Sequence, residues 1–280
     1  MNIGMVPVGG RFATKVMGII NASPESFYKG SVRTGAREIG AAASQMQEHG
    51  AHIIDIGAMS TAPYLETVIP VDEEIRRMKQ AIRAVKGACD LPVSADTPRA
   101  AVAEEAIATG ADAINDVTGL KYDSRMADVL AKAGVPVIAG AYSRARTTGR
   151  LPGTLAALKE SIAIAKKAGV RDVVVDPSIG FFREGGKNQF FTRMTDLPWY
   201  ARDIEVLSSL DKLASLKKPV CVSASRKSFI GHLLNVQADD RIIPSVICEA
   251  IAVLNGASMI RTHSVRETVQ ALAMLQLLKP

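Results

Sequence analysis

The chain has 280 residues, 48% of them hydrophobic and 22% charged, with a mean hydropathy of +0.13, which is enough apolar material for a sizeable core and excludes a disordered chain. No window approaches the length of an apolar membrane span, and "MNIGMVPVGGRFATK" lacks the basic start and long apolar run of a secretory signal, so no membrane association is expected. The net charge is +6, but the cations are scattered or sit at strand ends and aromatics are only 5% of residues, so a small anionic substrate fits better than nucleic acid.

In chain order, apolar β-like runs alternate with amphipathic helical segments. The expected strands are 16–21, 52–57, 92–96, 113–117, 135–140, 172–177, 219–225 and 257–262. Between them, Ile75, Met78, Ile82 and Val85 recur at helical spacing, with Asp72 as a plausible N-cap. Thr97 followed by Pro98 reads as a cap with proline at the first helical position. Ser264-x-x-Glu267 reads as a capping box that opens a final helix. Short strands, apolar on both faces and each followed by a helix, predict an α/β fold: a parallel (β/α)8 TIM barrel, one domain over 1–280. Residues 1–15 precede the first strand and are expected to cap the barrel's bottom. A doubly wound sheet is the competitor, but no GxGxxG follows the first strand. Cys89, Cys221 and Cys248 are far apart and odd in number, which points to buried thiols in a reducing cytoplasm rather than disulfides or a zinc site.

In such a barrel the chemistry belongs at the C-terminal strand ends. Those ends read Asn21, Asp55, Asp96, Asn115, Asp176, Arg226 with Lys227, and Arg261 with His263; the fifth strand ends in Ala139 and Gly140, which leaves space. Each residue alone has an ordinary explanation as a helix cap, a turn former or a solvated charge. Together they put three carboxylates and several cations at one cavity mouth, which is costly unless a ligand or each other pairs them. Asp96, Asn115 and Asp176 suit a ligand with several N–H donors; Arg226, Lys227, Arg261 and His263 suit an anion such as phosphate.

Seven motifs carry a resemblance: "MGIINASPESF" (17–27), "DIGAMSTAP" (55–63), "SADT" (94–97), "INDVTG" (114–119), "DPSIGF" (176–181), "SRKSFIG" (225–231) and "IRTH" (260–263). In order and spacing they resemble the dihydropteroate synthase family of the pterin-binding barrel superfamily. The resemblance implies that a 6-hydroxymethyl-7,8-dihydropterin diphosphate condenses with an aromatic amine, p-aminobenzoate or a related arylamine, releasing diphosphate in folate biosynthesis. By position, Asp96, Asn115, Asp176 and Lys227 would hold the pterin, with Lys227 turned inward over its ring; Arg226 is left open between the anion and a neighbouring carboxylate. Asn21, Arg261 and His263 would hold the diphosphate, with Asn21 also beside a Mg2+ cofactor. These three, with Lys227, would be the catalytic set. Phe27, Thr61, Pro63, Phe181 and Ser228 would line the arylamine pocket. The family also implies a cytoplasmic homodimer through its last helices, and the apolar run "SVICEAIAVL" (245–254) is compatible with that or with packing on the barrel.

The sequence departs from the family in its loops. Lys29 stands where the first loop usually carries an acid, Ala62 where the second carries an arginine, Ala139-Gly140 where Met-His is usual, and Ser178 where glycine is usual. The resemblance therefore specifies the pterin more closely than the acceptor. A pterin-dependent transferase of another kind, such as a methyltransferase, and a non-catalytic pterin-binding homologue are the alternative readings.

Overall fold

The computed structural model describes residues 1–25, Tyr28, Gly30 and 32–278. A short antiparallel hairpin, β1 (Asn2–Ile3) and β2 (Val6–Pro7), comes first. Eight parallel strands then form one sheet: β3 (Lys15–Asn21), β4 (Ile53–Gly57), β5 (Val93–Asp96), β6 (Ala113–Asp116), β7 (Val137–Gly140), β8 (Val173–Asp176), β11 (Cys221–Val222) and β12 (Met259–Thr262). The remaining two, β9 (Phe182–Arg183) and β10 (Thr192–Arg193), pair with each other outside it. The order in the large sheet runs β11-β12-β3-β4-β5-β6-β7-β8. A parallel bridge between Val175 and Val220 brings the last of these beside the first and closes the ring. Helices follow the strands on the outside: α1 (Ala36–Glu48), α2 (Val71–Lys86), α3 (Ala100–Thr109), α4 (Met126–Ala133), α5 (Leu151–Ala168), α6 (Trp199–Ser208), α7 (Ser228–Leu234), α8 (Ile242–Leu254) and α9 (Val265–Leu278). The expected TIM barrel is thus the fold.

Period-two alternation sorts the strand side chains. Ile54, Ile56, Val93, Ile114, Val137 and Val175 face the helices and join Met78, Ile82 and Val85 of α2 in the main core. Met17, Ile53, Ala113, Ile138, Val174, Cys221 and Met259 face inward and form a separate apolar layer low in the barrel. The β1–β2 hairpin brings Ile3, and Val8 just after it, into that inner layer, so the segment 1–15 plugs the bottom of the barrel.

Three local expectations need correction. Helix α2 begins at Val71 after Pro70, so Asp72 is not its cap. Asp72 lies in the first turn with Glu73 and Glu74, where the helix dipole favours negative charge. Thr97 is not the N-cap of α3, because the helix starts later, at Ala100 after Arg99; the Thr97 hydroxyl donates to Glu74 Oε1 at 2.6 Å and accepts the Arg99 N–H at 3.3 Å, and the free N–H of Ala100 is accepted by Asp123 Oδ2 at 2.9 Å. The seventh strand is only two residues long, because after Val222 the chain turns through Arg226 with φ of 53°.

Candidate active site

The register of the barrel gathers the polar strand ends. Asn21 pairs with Gly57, Gly57 with Asp96, Asp96 with Asn115, and Gly140 with Asp176. Each inward residue of the low apolar layer is followed two positions later by one that faces the same way: Ile53 by Asp55, Ala113 by Asn115, Val174 by Asp176 and Met259 by Arg261. The apolar plug thus sits directly under a polar layer. Above it lie two adjoining cavities that share Thr61, Asp96, Phe181, Ser223, Lys227 and Arg261. The outer one, of about 670 Å³, also reaches Asn21, Ser228 and His263; the inner one, of about 370 Å³, reaches Asn115, Gly140 and Asp176.

Arg261 ties the floor together. Its Nε donates to Asp55 Oδ2 at 2.6 Å and its Nη2 to Asp96 Oδ2 at 2.7 Å. Asn115 Nδ2 donates to the same Asp55 oxygen at 3.1 Å. Burial works against the Arg261 charge, but Asp55 and Asp96 outweigh it and hold its pKa above the ordinary value. Burial drives Asp96 above the usual carboxylate range, against the pull of Arg261 and Lys227. Asp55 is fully buried and lines neither cavity, so it positions Arg261 and Asn115 from beneath.

Asp176 sits at the start of a turn held from below. Burial raises its pKa, countered by the Ser178 N–H that it accepts through Oδ1 at 2.7 Å. The fully buried pair Arg202–Asp203, 3.0 Å apart, carries that turn. Arg202 donates to the carbonyls of Pro177 and Ser178, and Asp203 Oδ1 accepts the Gly180 N–H at 3.0 Å. Gly180 has a φ of 83°, and a Cβ there would meet Lys227 Cδ at 3.1 Å. A Cβ at Gly140 would meet the Val117 carbonyl oxygen at 2.3 Å, so the fifth strand end needs glycine for its own backbone as well as for space.

Lys227 reaches into both cavities, with Nζ 4.5 Å from the centre of the Phe181 ring. Burial pushes its pKa down to about 8, and Arg261 adds to the shift against the carboxylates of Asp176, Asp203 and Asp96. Its neighbour Arg226 turns the other way. It donates to the carbonyls of Ala238 and Asp239 and lies 4.1 Å from the Tyr28 ring. Its Nη1, bonded to those carbonyls, also lies 3.9 Å from the Asp239 carboxylate, so of its two expected places the one beside a carboxylate holds and the one on an anion does not. His263 accepts or donates at Nδ1 to Ser225 Oγ at 3.1 Å. Burial, then the cations Arg261, Arg226 and Lys227, keep its pKa well below the ordinary value, so it is neutral at neutral pH.

The outer mouth is built by loops. The segment after β8 adds the small parallel pair β9 and β10, which the sequence pattern does not announce. Between them, Asn188 Nδ2 donates to the Ala62 carbonyl at 2.7 Å, and the Lys187 N–H to the Pro63 carbonyl at 2.7 Å. The 60–65 loop is thereby pinned at the cavity, with Thr61 and Pro63 lining it. Ser228 lines the same cavity and accepts a hydrogen bond from Arg183.

A family model for pterin-binding enzymes matches residues 17–263. The chain is 37% identical over 270 residues to dihydropteroate synthase of Clostridium beijerinckii, covering 95% of this chain and 94% of that one. It superposes with a TM-score of 0.82 and 31% identity on a Coxiella burnetii dihydropteroate synthase solved with pteroic acid, covering 95% and 93% of the two chains. A Xanthomonas albilineans dihydropteroate synthase solved with 4-aminobenzoic acid gives 0.80 and 30%, with the same shares covered. The chain belongs to the dihydropteroate synthase family. Dihydropteroate synthase is a transferase, and the sequence resemblance and TIM-barrel fold agree with that membership.

Within this dihydropteroate synthase fold, the structure brings Asn21, Thr61, Pro63, Asp96, Phe181, Lys227, Ser228, Arg261 and His263 to the outer cavity. Asn115 and Asp176 line the inner one. Phe27 and Lys29 lie outside the described residues. Sequence reasoning gave no role to Asp55, Arg183, Asn188, Arg202 or Asp203. Asp55 had a signal, as a strand end; a helical Arg-Asp pair such as 202–203 reads like any solvated one.

Proposed function

We propose that the inner cavity holds the dihydropterin, the shared Lys227–Arg261 zone its diphosphate, and the outer mouth the arylamine. Dihydropteroate synthase-type transfer is the activity of the family: the methylene C–O bond breaks with its electron pair leaving on diphosphate, the amine lone pair forms the C–N bond, and the amine releases one proton. The observation that carries the reading is the joined pair of cavities, with Asn115 and Asp176 at the inner end, Asn21 and His263 at the outer, and Asp96, Lys227 and Arg261 where the two meet. Asp176 and Asn115 offer acceptors to the pterin's amino-pyrimidinone edge, and Lys227 lies along its ring. Arg261, already fixed by Asp55 and Asp96, meets the leaving anion without reorganisation. Neutral His263 offers it one N–H. The amine needs only to be positioned, so no protein nucleophile is required.

Mg2+ fits the same place. Among the described residues no group of three or more His, Cys, Asp or Glu forms a metal cage; Mg2+ keeps several waters and is held largely by substrate phosphates with one or two protein groups, usually carboxylates, in whose place an amide oxygen would stand here. Asn21, at the first strand end and lining the outer cavity, would supply such an oxygen. When bound, the ion would neutralise charge that develops on the departing diphosphate.

The acceptor proposed is p-aminobenzoate or a related arylamine, by likeness to the Xanthomonas albilineans neighbour. No helix of the described chain is long and apolar enough to cross a membrane, and Cys89, Cys221 and Cys248 are free thiols; both support a cytoplasmic placement. Ile243, Ile247, Ile251 and Leu254 form an exposed stripe on α8, and Met274, Leu277 and Leu278 are exposed on α9. This supports a homodimer through these helices, to be checked by light scattering at micromolar concentration.

The deciding assay is diphosphate release from 6-hydroxymethyl-7,8-dihydropterin diphosphate with p-aminobenzoate, with and without Mg2+. Release that needs both amine and metal is expected. Pterin binding without release would instead favour a non-catalytic homologue.

A further inference from the structure

We propose that Arg183 is the residue that recognises an anionic substituent on the acceptor, and so sets the charge class of the amine. This rests on the condensation reading above. Arg183 belongs to β9, not to the 60–65 loop; it stands just behind the outer cavity, in contact with three residues that line it. Its guanidinium carbon lies 3.8 Å from the centre of the Trp199 ring and 5.5 Å from that of Tyr64. Nη2 donates to Ser228 Oγ, and Nε to the Gly180 carbonyl at 3.3 Å. Tyr64, Ser228 and Gly180 all line the outer cavity.

The charge balance makes this arginine unusual. Arg77, Arg99, Arg202 and Arg261 each have a carboxylate within ion-pair distance. Arg183 has only a hydroxyl, a carbonyl and two rings, and among the described residues no carboxylate forms an ion pair with it. Burial lowers its pKa, with Asp203 and Tyr64 acting the other way; an arginine nonetheless stays charged. A half-buried cation without an anion is costly, and a carboxylate or larger anionic group on a bound amine would remove that cost. Nη1 makes no hydrogen bond among the described residues and is the donor left for it. Arg241, which also lacks a close carboxylate, spends Nε, Nη1 and Nη2 on the carbonyls of Val236 and Arg226.

Arg183 is also held in place. Stacking on Trp199 of α6 fixes the plane of the guanidinium, and the Asn188 and Lys187 bonds fix its segment against the 60–65 loop. Ala62 in that loop offers no cation of its own. The strand pair that covers this loop thus supplies a guanidinium that the loop itself lacks.

The test compares p-aminobenzoate with its neutral isostere 4-aminobenzamide, on wild type, Arg183→Gln and Arg183→Lys. Binding of each amine is measured by equilibrium dialysis with enzyme saturated with 6-hydroxymethyl-dihydropterin, diphosphate and Mg2+, which do not react forward. Wild type should favour the anion by about tenfold or more. Arg183→Gln should cut that preference to within about twofold while dihydropterin diphosphate affinity holds, and Arg183→Lys should keep part of it. Equal loss of both amines in Arg183→Gln, an intact preference, or no preference in wild type would overturn the proposal. Product formation by wild type, run in parallel, reports on the condensation itself, so the two ideas fail separately.

Discussion

The floor of the site and its mouth hold their functional groups by different means. On the floor, Asp96, Asn115, Asp176 and Arg261 project from strands whose register is set by the barrel; Asp55 braces Asn115 and Arg261, and Arg261 in turn holds Asp96. At the mouth, Thr61, Pro63 and Ser228 stand on loops and a helix start, pinned by backbone carbonyls and a stacked arginine. On that floor, a change at Asp55, Asp96, Asn115 or Arg261 unpairs another member of the set. A mouth built on loops can move a charge from one segment to the next and keep its shape. Asp96, Asn115, Asp176 and Lys227 are as the family has them, while the loop residues at positions 29 and 62 are not; Gly140 and Ser178, which also depart, line the inner cavity without replacing any of those four.

The comparison breaks most visibly at Arg261. Arg261→Ala leaves the buried Asp55 and the partly buried Asp96 without their cation, which should destabilise the fold by about 3–5 kcal/mol, read by denaturant unfolding. A loss below about 1 kcal/mol would mean that the floor is not braced as described. Next in size, Asp176→Asn keeps volume but exchanges a two-acceptor group for a mixed one. Pterin affinity should fall by about 1.5–3 kcal/mol, measured with 6-hydroxymethylpterin, and the thermal midpoint should move little.

A pH profile sharpens the same point. A lysine carries its charge below its pKa, and that of Lys227 is pushed down to about 8. kcat/KM for the dihydropterin diphosphate, which reports on the free enzyme, should therefore hold up to about pH 8 and fall roughly tenfold per unit above it. Lys227→Arg should lower the plateau and remove that limb; a limb that persists belongs to another group. Smallest of all, Asn188→Ala releases the 60–65 loop from three carbonyl contacts. The KM for the arylamine should rise by about fivefold, equivalent to roughly 1 kcal/mol, with that for the pterin diphosphate unchanged.

The same asymmetry governed what could be read from the sequence. Strand ends are legible because period-two alternation and a closed parallel sheet leave one place for Asp96, Asn115 and Asp176 to go. The inward turn of Lys227 is legible, but the place of Arg226 is left open, because it depends on a φ of 53° there and on the carbonyls of residues 238 and 239. Arg261 read as a free anion binder; its two carboxylate partners lie 206 and 165 residues away in the chain. Thr97 reads as a cap, but the helix starts three residues later, and the hydroxyl ties Glu74 to the turn before it. Arg183 and Asn188 sit in a Gly- and Lys-containing stretch that reads as a loop, and only contact with the 60–65 loop and its cavity gives them a role.

The most direct test of this division is a calorimetric titration of 6-hydroxymethyl-7,8-dihydropterin diphosphate into wild type, Asp176→Asn and Asn188→Ala under one set of conditions. The expected result is affinity at least about tenfold weaker for Asp176→Asn and unchanged for Asn188→Ala. Equal weakening in both variants, or none in Asp176→Asn, would contradict a pterin site built on the strand ends and independent of the mouth.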